Sequence, residues 1–196
     1  MSGTPGADDA APTVALHGER CTLRAFREDE LDALLAFRRG SDTVPGLRTS
    51  QPGLRALLRR RIARSGRVDN GWLELAIEID GALAGDIQAR GGRSMSPPGV
   101  YELGIELYET GRRGKGVGTE AVALFTGHLF SALGAGRVQA TTDVDNAAMR
   151  AVLVKLGFRE EGILRGFMPN PPGSPAPRAD YVISAITAED WTARQR

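Results

Sequence analysis

The sequence predicts one α/β domain, equally describable as α+β, built on a mixed sheet. Three observations predict it. The 196 residues match the length of a single domain. Apolar runs alternating with period two are interleaved with runs at helical spacing. A glycine-rich stretch, Gly111-Arg112-Arg113-Gly114-Lys115-Gly116-Val117-Gly118, joins such a strand to such a helix.

Composition narrows the function classes. Hydrophobic residues are 41% and charged residues 25%, enough for a core without staples. Lys+Arg 25 against Asp+Glu 24 leaves a net charge of +1. That balance excludes a strongly basic nucleic-acid clamp and an acidic tail protein. No apolar run is long enough to span a membrane. The first twelve residues have no basic and apolar signal pattern, which points to a cytoplasmic protein. One cysteine, Cys21, leaves neither an internal disulfide nor a cysteine zinc cluster. Lys115 and Lys155 are the only lysines, and the arginine bias reads as genomic composition.

Residues 1–12 are rich in Gly, Pro, Ala and Asp and are expected to be a disordered tail. Thr13 to Phe26 alternates as strand. Glu28 to Arg38 carries Leu31, Leu34, Leu35 and Phe37 at helical spacing. A second helix with Leu54, Leu57, Leu58 and Ile62 follows Ser50, a plausible N-cap, and Pro52. Trp72 to Ile79 and Leu83 to Ile87 flank Asp80-Gly81, the strongest short hairpin signal. Tyr101 to Tyr108 sets Tyr101, Leu103, Ile105 and Leu107 on one face and Glu102, Gly104 and Glu106 on the other. A long helix from Ala121 to Leu133 ends at Gly134. Val138 to Asp143 is a strand. Asn146 opens a short helix that Gly157 ends, and Phe158 starts another strand. Met168 to Ala179 holds Pro169, Pro171, Pro172, Pro175 and Pro177 and is expected to be an irregular loop. Tyr181 to Ile186 is the last strand, and Asp190-Trp191 closes the fold.

Strand, glycine-rich turn, helix is a phosphate-binding design. The first helical amides lack intrahelical partners, the dipole favours anions, and glycine admits close approach. Gly114-Lys115 is followed by Gly116, so a Walker loop fails. The run is mid-chain and lacks G-x-G-x-x-G, so a dinucleotide fingerprint fails too. A flexible turn with solvated arginines is the bland alternative.

Arg113-x-x-Gly116-x-Gly118, then Thr119-Glu120-Ala121, a long helix, a strand, Asn146 and Leu156-Gly157-Phe158 resemble the Gcn5-related N-acetyltransferase (GNAT) family. The likeness is closest to the ribosomal-protein alanine acetyltransferase type. Glu102-Leu103-Gly104 and Asp180 also fit, and the resemblance spans roughly residues 13–191 of a domain expected over 13–196. It implies a mostly antiparallel sheet, splayed where coenzyme A enters, with helices on both faces. It implies acetyl transfer from acetyl-CoA to an amine in a ternary complex, with no metal. The amides of Arg113, Gly114, Lys115, Gly116, Val117 and Gly118 would hold the pyrophosphate, helped by the Thr119 hydroxyl. The backbone at Leu107 and Tyr108 would pair with the pantetheine and polarise the thioester, and Asn146 would hydrogen-bond the arm. Glu102 and Glu106, on one strand face beside Gly104, are the candidate general bases. Each has a bland alternative as a solvated or arginine-paired carboxylate.

The chain departs from the family at two positions. Leu153 stands where many relatives have an acidic tyrosine, and Met149 where some have a serine. A thiol of pKa about 8.5 leaves without an acid; otherwise Tyr108, Tyr181 or water serves. The gap also motivates a non-catalytic acyl-CoA-binding protein of the same fold. A third reading is a nucleotide- or RNA-phosphate module using the loop together with Arg48, Arg55, Arg59, Arg60, Arg61, Arg64 and Arg67. The bland reading of those arginines is a solvated helix face, and no nucleic-acid partner is predicted. His17, His128 and Cys21 read as structural. Phe26, Trp72 and Phe167 read as core rather than site walls. The acceptor amine is open, protein N-terminus or small molecule. Domains resembling this one often pair as homodimers.

Overall fold

The computed structural model describes residues 13–40, 51–91, 97–108, 114–171 and 173–195. The expected tail at 1–12, the Ser50 cap, Arg48 and Arg113 lie outside the described residues.

Two short strands open the fold, β1 (Leu16–His17) and β2 (Thr22–Arg24). A 3-10 turn at Glu28–Glu30 leads into helix α1 (Leu31–Gly40), and α2 (Gln51–Arg64) follows. Strands β3 (Trp72–Ile79) and β4 (Ala82–Gly91) make the expected hairpin. Asp80 (φ 51°) and Gly81 (φ 78°) both sit left-handed at its tip, as an Asp-Gly hairpin turn requires. Strand β5 (Val100–Leu107), helix α3 (Val117–Ser131), strand β6 (Arg137–Asp143) and helix α4 (Ala147–Lys155) come next. Strands β7 (Arg159–Pro169) and β8 (Arg178–Thr187) and helix α5 (Ala188–Arg194) complete it.

Among the described residues the strands form one sheet in the order β1-β2-β3-β4-β5-β6-β8-β7. Every neighbouring pair is antiparallel except β5 with β6. The predicted mixed, mostly antiparallel sheet is therefore present.

Alternation along the strands sends one set of side chains to each face. Leu73, Leu75, Ile77, Ile87, Ala89, Leu103 and Val138 meet Ala121, Val122, Phe125 and Leu129 of α3 and Leu153 of α4. Phe125, Leu129 and Leu153 are fully buried there, each worth about 1.5–3 kcal/mol over exposure. On the opposite face Ala76 packs with Phe26, with Leu31, Leu34 and Leu35 of α1, and with Leu58 and Ile62 of α2. Helices cover both faces, as expected.

One expectation is corrected. The proline-rich Met168–Ala179 segment is not irregular throughout. Its ends pair as Met168 with Ala179 and Pro169 with Arg178, so the β7–β8 hairpin continues into it. Pro169 is tolerated because β7 is the edge strand. Asp180 accepts the Gly166 N–H at 2.7 Å, and the Arg178 guanidinium donates to the carbonyls of Gly166 and Phe167. These bonds hold the strands together past the irregularity between Leu164 and Met168.

Gly85 of β4 fixes how close β5 can come. A Cβ there would lie 2.2 Å from the Glu106 carbonyl oxygen and 3.1 Å from the Leu107 Cα. Gly162 on β7 has open space around it. Gly85→Ala is expected to cost about 1–3 kcal/mol in urea unfolding, and Gly162→Ala to stay within about 0.5 kcal/mol of wild type.

Candidate active site

The parallel pairing of β5 with β6 covers only Val100–Leu103 against Arg137–Ala140. Each strand runs further with its outer neighbour. Strand β5 stays on β4 as far as Leu107 opposite Gly85, and β6 stays on β8 as far as Asp143 opposite Tyr181. The sheet is therefore split between the C-terminal ends of two adjacent strands.

Hydrogen-bond alternation decides which groups face the split. The Tyr108 N–H donates to the Ala84 carbonyl at 2.9 Å. Glu102, Gly104 and Glu106 share its phase and turn their backbone groups to β4, while Ile105 and Leu107 turn theirs towards β6. The Tyr108 amide is thus engaged by Ala84 and does not face the split as the sequence led us to expect. Leu107 does, joined by Ile105, which sequence reasoning missed because it gives no register.

Helix α3 opens at one lip of the split. Its N-cap is Gly116 in a left-handed conformation (φ 84°), and no side chain caps it. The Gly116 carbonyl takes the Glu120 N–H at 3.0 Å. Val117, Gly118 and Thr119 are left with amides that have no intrahelical acceptor. Gly114 is also left-handed (φ 76°), and among the described residues no atom lies within 4 Å of where a Cβ would go. Lys115 beside it is exposed. A Cβ on Gly118 would be 4.0 Å from Leu107 Cδ1, so these amides lie against the end of β5.

Helix α4 opens at the other lip. The Asn146 side-chain oxygen accepts the Met149 N–H at 3.1 Å, and its own N–H donates to the Asp143 carbonyl at 3.0 Å. Asn146 is therefore a helix cap at the end of β6, with its side-chain NH2 group still able to donate outward.

Glu120 ties the β1–β2 turn to the first turn of α3. Its carboxylate accepts the N–H groups of Glu19, Arg20 and Cys21 at 3.0, 2.7 and 2.9 Å. Burial pushes this carboxyl up, but the amide bonds outweigh it and hold it below the usual range. The docked turn brings Arg20 to Gly116, where a Cβ would be 3.2 Å from the guanidine Nε. Burial, helped by Glu120, pushes the Cys21 thiol up to about 12, so it is no nucleophile. His128 is held below its usual value by burial.

The two candidate bases lie on the face opposite α3. Glu102 Oε1 is 3.6 Å from Arg90 Nη2 and 3.4 Å from Thr141 Oγ1, with its side chain 28% exposed. Its strand partner on β6 is Gln139, one position before the split opens. Glu106 stands opposite Asp86 near the end of β5. Leu153 is fully buried and Met149 packs on the same core, so α4 offers no acid. The Tyr108 hydroxyl donates to Asp86 at 2.6 Å. Burial first, then the Asp86 charge, raises its pKa and keeps the proton on it. Tyr181 is raised by burial and by Asp143.

The arginine segment divides. Arg59 and Arg60 are exposed and Arg55 pairs with Asp32 at the surface, as a solvated face would. Arg61 is the exception: its side chain is 13% exposed and paired with Glu74 and Asp86. Phe26 is core, whereas Trp72 lies half-buried under Arg90, and Phe167 is exposed against Tyr181.

Residues 20–159 match the family model for the acetyltransferase (GNAT) domain. The chain is 37% identical over 67 residues to the uncharacterized N-acetyltransferase YoaA of Bacillus subtilis. That match spans 34% of this chain and 37% of the relative. RimJ of Mycobacterium smegmatis, solved in complex with CoA-disulfide, superposes with a TM-score of 0.66 at 26% identity, covering 94% of each chain. The ribosomal-protein-S5-alanine acetyltransferase of Vibrio fischeri has the same fold, with a TM-score of 0.72 at 18% identity over 91% of this chain and 98% of that one.

The Glu120 anchor makes a pH prediction. A carboxyl depressed by folding adds stability above its unfolded pKa of about 4.3, and loses it as pH falls through the folded value. Glu120→Gln is expected to lower stability at neutral pH and to flatten its fall below about pH 4. Thermal melts from pH 3 to 7 check this; parallel curves for the two proteins would contradict it.

Proposed function

The chain belongs to the GNAT family of acetyltransferases, and on that premise we propose that it transfers the acetyl group of acetyl-CoA to a primary amine by direct attack in a ternary complex. The observation that carries the reading is the split itself. Among the described residues the backbone of Ile105 and Leu107 has no partner on β6, and the start of α3, with the amides of Val117, Gly118 and Thr119, lies beside the Leu107 side chain.

The split takes the pantetheine arm as an added strand, hydrogen-bonded to Ile105 and Leu107. The Leu107 N–H polarises the thioester carbonyl. The Asn146 side-chain NH2 group holds the arm from the β6 lip. The amides of Gly114 to Gly118 and the Thr119 hydroxyl take the pyrophosphate, with Lys115 adding charge. Arg113 stands at the start of this loop in sequence and completes the set. The acceptor arrives on the face of Glu102 and Glu106. Glu102 removes the ammonium proton, directly or through water, and Glu106 assists in holding the amine. The amine nitrogen bonds to the acetyl carbon, the carbon–sulfur bond breaks, and the second proton shed by the nitrogen passes through water to the departing thiolate. Positioning supplies up to about 7–11 kcal/mol in such reactions. A thiol of pKa about 8.5 departs without the acid that Leu153 and Met149 cannot provide. We place the reaction in the cytoplasm. The acceptor is a protein N-terminal amine or a small-molecule amine.

Calorimetry is expected to show acetyl-CoA binding and no ATP binding. Gly116→Asp sets a carboxylate against the pyrophosphate and is expected to weaken binding at least tenfold, about 1.4 kcal/mol. Glu102→Gln is expected to bind normally and to turn over about a hundredfold more slowly. Undiminished affinity in the first variant would move the cosubstrate elsewhere, and full turnover in the second would remove Glu102 from the chemistry.

A further inference from the structure

Beneath the acceptor face lies a buried polar network that the reaction above does not use. Arg61 of α2 sends Nη2 to Glu74 Oε1 at 2.7 Å and to Asp86 Oδ2 at 2.8 Å, and its Nε donates to Glu74 at 2.8 Å. The Tyr108 hydroxyl donates to the same Asp86 oxygen at 2.6 Å. The Glu74 and Asp86 side chains are 8% and 5% exposed. Arg61 lies over the Phe26 ring at 5.0 Å, and Tyr108 stacks on Phe37 with ring centroids 3.9 Å apart.

Such a network is costly to bury, because each charge loses its water. It is also imperfect: among the described residues the buried Arg61 Nη1 has no hydrogen-bond partner. An apolar filling would stabilise the same space at lower cost. What the network provides is a fixed position. It acts where β5 has no β6 neighbour to hold it, and three ties to β4 converge there. The Tyr108 N–H bonds Ala84, the Glu106 carbonyl closes on Gly85, and the Tyr108 hydroxyl reaches Asp86. Arg61 then clamps Asp86 from α2, and Phe37 of α1 covers the ring.

We propose that Tyr108 and Asp86, clamped by Arg61, are positioning residues that hold the free end of β5 so that the Leu107 amide meets the thioester. The inference rests on the acetyltransferase reading for its catalytic consequence. Its structural half is independent of that reading. A misplacement of about 1 Å at a reacting centre costs on the order of a hundredfold in rate. The network therefore acts far more on kcat than on cosubstrate affinity, most of whose contacts lie at the amides that open α3 and at Asn146.

Tyr108→Phe removes the hydroxyl and keeps the ring on Phe37, so the fold survives. In the substrate-free protein, hydrogen exchange of the Glu106 and Tyr108 amides, both bonded to β4, is expected to speed up about tenfold. With acetyl-CoA and whichever of a short peptide with a free N-terminal alanine or spermidine the wild type acetylates, kcat is expected to fall tenfold to a hundredfold, while KM and Kd for acetyl-CoA stay within twofold. Asp86→Asn is expected to show the same split. Unchanged exchange, kcat within twofold, or a loss confined to KM would each overturn the proposal. A wild-type chain that transfers no acetyl group would fail the acetyltransferase reading instead, and the exchange measurement would still decide whether the hydroxyl holds β5.

Discussion

Strands β5 and β6 are each held harder on the outside than on the inside. On the outer edge of β5, Gly85 lets the Glu106 carbonyl approach β4 closer than any side chain would permit. On the outer edge of β6, seven residues in register bind it to β8. Between them the pairing stops at Leu103 and Ala140. A parallel pair needs a crossover, and here the crossover is α3, whose start lies at the end of β5. The split, the open amides of α3 and the Asn146 cap of α4 thus share one end of the sheet. The proposed binding surface is the consequence of where two strands part.

Carboxylates pin the pieces that surround this opening. Glu120 gathers three amides of the β1–β2 turn onto the first turn of α3. Glu30 and Glu78 hold Arg24 at 2.5 and 2.7 Å, and Arg27 also pairs with Glu78, which fixes the approach to α1 on β2 and β3. Arg61 fixes α2 on β3 and β4. In each case a group from one element completes the polar needs of another, so α1 and α2 are tied to the strands beside the split. Surface pairs such as Arg64 with Asp69 contribute little by comparison.

Local signals were legible and long-range ones were not. Asp80-Gly81 gave its hairpin because the turn chemistry is contained in two residues. The glycines before α3 and Asn146 before α4 announced helix starts for the same reason. The register at which β5 leaves β6 depends on two strands separated by the whole of α3 and its flanking loops, from Leu107 to Arg137, and is carried by no single residue. That is why the sequence pointed to Leu107 and Tyr108 together, where the register turns Leu107 and Ile105 to the opening and Tyr108 to Ala84. Glu120 looked like one more acidic residue in a helix start, since its partners lie about a hundred positions away. Arg61 was hidden among arginines. Its helical phase, three residues after Leu58 and one before Ile62, is the signal that sets it apart, because both flanking residues are buried.

On the proposed reading the cosubstrate completes the sheet between β5 and β6. A crystal structure of the chain with coenzyme A tests it most directly. The pantetheine arm is expected in the split, hydrogen-bonded to the backbone of Ile105 and Leu107, with the pyrophosphate on the amides that open α3. Coenzyme A bound at another edge of the sheet, or a split closed by β6, would contradict it.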